Sequence, residues 1–242
     1  MARAQLSQEQ IDVMRQRLVL LALDIYRREG IDAISLRRLA EMAGISHTLP
    51  YRYFESKEAL LIALRTECTQ AFDRHVHERE HARAAPLLRI RSVAAAYIDY
   101  VRRWPTDYLL IFAAHPTPLS EYPELLAARQ RVVEHGVECV QAAIDAGLLK
   151  GEARQLAHMF WMALHGLMTL HVAGQLVHGC SIDDLVEPLV ERMLGSDAAP
   201  TVISAPAKPR TARRRPDPNP TPRWPTSDAL INPRQRRPGP RG

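Results

Sequence analysis

Residues 35–60 read SLRRLAEMAGISHTLPYRYFESKEAL, and this stretch decides the fold. Ser35 stands where a serine hydroxyl accepts from the unpaired N–H groups of a first turn, so a short helix is expected over 36–43. Gly44 ends it, because glycine takes a positive φ at little steric cost. Ser46 is placed to cap a third helix running to about Tyr53, and Ser56 a fourth over 56–78, with Glu58 in its first turn favourable to the helix dipole. Two short helices crossing closely about a tight turn make a helix-turn-helix. Ala40 is small enough for the crossing, and Leu36, Leu39, Ile45 and Phe54 plug the inner faces. The outer side of the second helix is then free to enter a major groove, which admits one helix. Pro50 lacks an N–H at the fourth helical position, so this helix must start late or be loosely wound.

Working outward, Ile11, Met14, Leu18, Leu21 and Ile25 alternate three and four apart, one stripe of a helix over 8–29 that Gly30 stops. Downstream, helices are expected over 87–103, 105–114, 122–146, 152–178 and 182–194, with Pro86, Pro105, Pro116, Pro118 and Pro123 in the gaps. No segment alternates polar and apolar for long enough to be a strand, and no internal repeat is found. The expected fold class is all-α with about nine helices. A three-helix domain over 8–66, carrying the helix-turn-helix, precedes a helical domain over 67–195, and a basic Pro-rich tail over 196–242 is expected to be disordered.

The run from Arg17 to Thr66 resembles the tetracycline-repressor (TetR) family of bacterial regulators. An upstream helix ending in EGID is followed by SLRRLAEMAGIS and then YRYFESKEALL, and the family's Tyr-x-x-Phe with Ser-Lys-x-x-Leu falls on Tyr51, Phe54, Ser56, Lys57 and Leu60. The resemblance implies that Ser35 caps the second helix and touches phosphate. It implies that His47, Thr48 and Leu49, after Ser46, begin the base-facing segment, and that the Tyr51 hydroxyl meets the DNA backbone. Lys57 matches a lysine at the fourth helix's N-terminus, where its charge and the free N–H groups both favour a phosphate. Arg37, Arg38 and Arg52 are placed to add phosphate or base contacts, with the alternative that Arg37 and Arg38 merely solvate a helix face. Phe54 is read as core. Pro50 stands where leucine is commoner in the family, although related members carry proline.

In the C-terminal half, Trp161, His165 and Gly166 form W-x3-H-G, and with YVRRWPTDYLLIF over 100–112 resemble the WHG-type domain of many such regulators. The resemblance implies a pocket for a small apolar or aromatic effector. Trp104, Tyr108, Phe112, His115, Trp161 and His165 are its candidate lining, against the alternative that aromatic residues at helical spacing are core. The helix over 152–178 is apolar around nearly its whole circumference, which argues for a second face buried against a partner and hence a homodimer.

Charge is unevenly spread. Residues 1–65 carry a net +2, residues 66–199 a net −5 and residues 200–242 a net +8, so a polyanion partner suits the ends and not the middle. The tail's Arg213-Arg214-Arg215 run either clings to phosphates or is an accessory extension. Cys68, Cys139 and Cys180 are scattered and odd in number, which fits a reducing cytoplasm better than a disulfide framework. Residues 159–182 lack charge but contain His165, His171, His178 and Gln175, so no membrane span is expected. His158 and His165 share a face and His75, His77 and His81 cluster, but no carboxylate or thiol stands at convincing spacing; no metal site and no cofactor are expected. A Gly-rich phosphate loop, HExxH, GxSxG and paired-carboxylate spacing are all missing, which excludes the commoner enzyme classes. The expected partners are double-stranded DNA, a small-molecule effector and a second copy, in a regulator that represses by occupying a palindromic operator.

Overall fold

A computed structural model describes residues 7–113 and 118–195; His115 and the basic tail lie outside the described residues. All regular structure among the described residues is helical. The α-helices are α1 (Gln8–Glu29), α2 (Leu36–Ala43), α3 (Lys57–Arg79), α4 (Pro86–Arg103), α5 (Pro105–Phe112), α6 (Pro123–Asp145), α7 (Ala153–Val172) and α8 (Ile182–Leu194). None is long and apolar enough to cross a membrane. Of the described residues, 7–113 and 118–139 form one compact unit and 140–195 a second.

Single residues set most of the boundaries. Ser7 and Gln10 close a reciprocal capping box at the start of α1, and Gly30 ends it at φ 86°. Ser35 accepts from the Arg38 N–H at 3.2 Å and Ser56 from the Ala59 N–H at 3.1 Å. Gly44 is left-handed at φ 67°, and the Ile45 N–H closes on the Ala40 carbonyl at 3.0 Å. Pro86, Pro105 and Pro123 each open a helix, where the missing N–H costs nothing.

In the first unit α1 packs on α2 and α3, and α3 packs on α4 and α5. Leu18, Ala22 and Ile25 of α1 and Leu39 and Ala40 of α2 are sealed from solvent. Buried positions run right round α3, from Leu60 and Leu64 through Cys68 to Phe72 and Val76, which makes it the central helix of the unit.

In the second unit α7 packs on α8. The sequence predicts a helix over 152–178, but α7 ends at Val172. Gly174 turns left-handed at φ 67°, and the Gln175 N–H returns to the Leu170 carbonyl at 2.8 Å, a glycine stop inside an otherwise apolar run. Phe160, Leu164, Leu167 and Met168 are buried, whereas Met159, Trp161, Met162 and Leu170 are exposed in the single chain.

Candidate nucleic-acid interface

The segment expected to be the third helix is a chain of tight turns with one 3-10 turn over Pro50–Arg52. Three of its bonds span three residues, the Leu49 N–H to Ser46 O at 2.9 Å, Arg52 to Leu49 at 3.0 Å and Tyr53 to Pro50 at 3.0 Å, and a four-residue bond follows only at its end, from the Phe54 N–H to Pro50 O at 3.0 Å. Pro50 is the cause. The bond that would begin an α-helix here runs from the residue-50 N–H to the Ser46 carbonyl, and proline has no hydrogen to give. Ser46 accordingly does not cap a first turn. Its hydroxyl lies 2.9 Å from that of Thr48 and 3.4 Å from the Thr48 amide nitrogen, pinning a local turn.

Phe54 anchors the segment. It is buried, with the Arg15 guanidinium 5.3 Å from its ring centroid, and Pro50 is buried with it. From α1, Arg17 donates to the Ala43 carbonyl at 3.2 Å, satisfying the end of α2. Neither arginine carried a site signal in the sequence, because each acts across the fold and not along the helix.

With its inner side fixed, the segment presents His47, Thr48, Tyr51 and Arg52 to solvent, with Leu49 half-buried. Tyr51 is 58 % exposed, unusual for a tyrosine in a packed turn. Lys57 is exposed at the first position of α3, beside the free N–H groups capped only by Ser56, and makes no ion pair among the described residues. Arg37 is exposed and loosely tied to Glu41 at 3.2 Å. Arg38 differs: it is half-buried and makes a two-toothed pair with Glu29, at 2.5 and 2.8 Å, joining α2 to the end of α1. Ser35 is exposed, its oxygen engaged as cap.

The candidate effector residues fall in two groups. Tyr108 is buried in the first unit, its hydroxyl 2.8 Å from that of Tyr97 and its ring 5.0 Å from Phe112. Trp104, at the α4–α5 corner, packs 5.0 Å from Tyr100 and 5.2 Å from His75. Tyr97, Tyr100 and Phe72, which join these rings into one cluster, were not among the expected residues. In the second unit Trp161 lies 5.6 Å from His165 on α7.

Two family models match the chain. Residues 19–64 match the bacterial regulatory proteins of the tetR family, and residues 90–193 a tetracyclin repressor-like C-terminal domain. The HTH-type transcriptional activator FasR of Mycolicibacterium smegmatis is 24 % identical over 66 % of this chain and 70 % of its own. A solved structure of a protein of unknown function from Rhodococcus sp. RHA1 superposes with a TM-score of 0.64 at 27 % identity, over 75 % of this chain and 93 % of that one. FadR of Bacillus subtilis, solved in complex with stearoyl-CoA, shares the fold at a TM-score of 0.60 and 15 % identity, over 74 % of this chain and 97 % of that one.

Proposed function

This chain belongs to the tetracycline-repressor family of DNA-binding transcription regulators, which are not enzymes, and on that premise we propose a homodimeric repressor that a small apolar or aromatic effector lifts from a palindromic operator. The observation that carries the reading is the solvent-facing run His47, Thr48, Tyr51 and Arg52, mounted on a buried α1–α2 platform beside Lys57, which is exposed and makes no ion pair among the described residues. In this assignment residues 8–66 bind DNA and residues 67–195 sense and dimerise. Ser35, Tyr51 and Lys57 hold phosphates. His47, Thr48 and Leu49 read base edges, Ser46 sets the turn that aims them, and Arg37, Arg38 and Arg52 reinforce either contact. The protein acts in the cytoplasm.

For two subunits to read adjacent turns of one groove, their reading segments must sit ~34–36 Å apart. α3 begins at Lys57, and its buried length packs on α4 and α5, so a shift of those helices would tilt the lysine end. The candidate effector residues are Trp104, Tyr108 and Phe112 in the first unit and Trp161 and His165 in the second; the sequence candidate His115 lies outside the described residues. Release of most of the DNA requires the effector to favour the tilted shape by ~10⁴-fold.

A gel-shift assay with duplexes flanking the protein's own gene tests the reading. Retention of one duplex against excess competitor DNA, at two chains per site, is expected; equal retention of every duplex would refute it. Activation is a second reading, favoured by the activator named among the relatives. Transcription in vitro from the retained promoter separates the two by its sign.

A further inference from the structure

Where α3 ends, three side chains of different chemistry turn toward one point. Glu80, the residue after α3, has a side chain only 3 % exposed. His135 and Cys139, both buried, stand four apart on one face of α6. His135 Nε2 lies 2.9 Å from Glu80 Oε2, and Cys139 Sγ lies 3.9 Å from both Glu80 Oε1 and His135 Nε2. We infer that Glu80, His135 and Cys139 form a binding site for a zinc-like divalent transition-metal ion.

The donor set and the spacing support this. Tetrahedral zinc with bonds of about 2.0–2.3 Å to N, O and S holds its ligand atoms roughly 3.3–3.7 Å apart. With one Glu80 oxygen as donor, the three ligand atoms all lie within 4.8 Å of one another, so the widest pair has to close by about an ångström around an ion. A thiolate and an imidazole select a borderline ion and disfavour magnesium or calcium, which demand all-oxygen shells. The buried carboxylate already has a supporting contact, since Arg89 Nε donates to Glu80 Oε1.

His135 also lines an open cleft of about 450 Å³ with His77 and with Asp73, Glu134 and Glu138, three carboxylates against the single cation Arg131. Its acidic rim draws cations, and it leaves room for the fourth ligand. His77 stacks on His135 with ring centroids 4.0 Å apart. His77 Nδ1 lies 2.9 Å from the Asp73 carbonyl, which only accepts, so the proton of a neutral ring sits there and Nε2 keeps its lone pair. Water or His77 Nε2 fills the fourth place. When the metal–sulfur bond forms, the thiol proton leaves to solvent. His135 moves its proton from Nε2 to Nδ1, so one proton is released for each ion bound. Dication, thiolate and carboxylate then sum to neutral, and the Arg89 charge stays as it was.

The site is independent of the DNA reading and is tested without DNA. Full-length protein carrying Cys180→Ser, which removes the exposed thiol, is stripped with chelator and titrated with Co²⁺ as the probe. One equivalent should produce a thiolate-to-cobalt charge-transfer band and release one proton, and Zn²⁺ but not Mg²⁺ should bleach the band. Adding Cys139→Ser should abolish the band, and His135→Gln should weaken Co²⁺ binding at least tenfold, with helical circular dichroism in chelator certifying each fold. Absence of the band in the folded Cys180→Ser protein, or its survival in Cys139→Ser, overturns the assignment. Should Cys139→Ser not fold, Glu80→Gln with retained helicity takes its place, and undiminished Co²⁺ affinity there overturns it equally.

Discussion

Arg27, in the last turn of α1, grips Asp107, in the first turn of α5, through paired bonds of 2.9 and 2.5 Å across 80 residues of sequence. Asp107 is 2 % exposed, and the neighbouring Tyr26 hydroxyl donates to the Thr106 carbonyl at 3.2 Å. The contact ties the helix under the reading segment to the helix that carries Tyr108 and Phe112. Burial first, with Cys68 and the Asp107 carboxylate nearby, pushes the Tyr26 phenol up to about 12, so it remains a donor at any ordinary pH.

Removing the arginine should cost more than removing both partners. Arg27→Met leaves a buried carboxylate without its counter-charge and should destabilise the first unit by about 2–3 kcal/mol, less than the roughly 3–5 kcal/mol of a fully buried pair because water reaches the arginine. Arg27→Met with Asp107→Asn should recover about 1 kcal/mol or more of that loss. Urea midpoints of the two variants check this, and strictly additive losses would show that the pair does not couple.

The elements legible in advance are those bounded by one local residue. Ser35, Gly44 and Ser56 act on their own turn, so the edges of α2 and the start of α3 follow from residue type alone. Pro50 also acts locally. Its effect reaches further than a late helix start, since the Leu49, Arg52 and Tyr53 N–H groups all bond only three residues back and a four-residue bond returns at Phe54, to the Pro50 carbonyl. Less legible are interactions made across the fold. Arg65 donates to the Ala113 carbonyl at 2.6 Å and Arg129 to that of Ile111, two cations on the C-terminal end of α5 that no spacing announces. Burial, then repulsion from Arg129, lowers the Arg65 guanidinium to about 10. Glu80 and Cys139 are 59 residues apart, so no local ligand spacing in the sequence joins them.

Lys57→Ala should weaken every duplex alike. A lysine that meets a phosphate contributes about one released counterion, so the slope of log affinity against log salt should fall by about one. Thr48→Ala and His47→Ala should instead re-rank duplexes that differ at single positions, by about 1–3 kcal/mol for the affected base. Fluorescence anisotropy at several salt concentrations distinguishes the two behaviours; an unchanged slope for Lys57→Ala removes it from the phosphate contacts.

Pro50→Ala supplies the missing hydrogen. The residue-50 N–H can then reach Ser46 O, and the 46–53 segment should rewind toward an α-helix, turning Thr48 and Tyr51 relative to Phe54. Hydrogen exchange should show a newly protected amide at position 50, accompanied by altered operator preference. Rapid exchange there would mean that the platform beneath Phe54, and not the proline, holds the turn.

Acid should loosen the first unit in a window set by His75. It is 5 % exposed and packed edge-on against Tyr100 and Trp104 at 5.4 and 5.2 Å. Its Nε2 is 3.1 Å from Asp99, but Asp99 already pairs with Arg103 at 2.8 Å and Arg79 at 3.3 Å. Burial first, then repulsion from Arg79, therefore lowers the His75 pKa. Above about pH 6.5 neither folded nor unfolded chain protonates this ring; below it the unfolded chain takes up a proton that the folded chain refuses. Stability should accordingly fall as pH drops below about 6.5, by at most ~1.4 kcal/mol per pH unit, until the folded pKa is passed. His75→Gln should flatten that slope in thermal melts between pH 7 and 5; an equal slope in the variant assigns the loss elsewhere.

α7 supplies the test of assembly. Met159 and Met162 are 54 % and 57 % exposed and Leu170 is 47 % exposed, on a helix whose Leu164, Leu167 and Met168 are buried. Flexible apolar side chains left on the outer face of a well-packed helix lose water favourably against a second copy, at about 25 cal/mol per Å² removed. Met162→Glu would place a charge in that contact and should shift the protein from two chains to one in sedimentation equilibrium, with helicity retained. The same variant should lose operator affinity more steeply than any single change at the reading segment, because one half-site then binds without the other. A dimer that survives Met162→Glu and Met159→Glu together would place the subunit contact on another face.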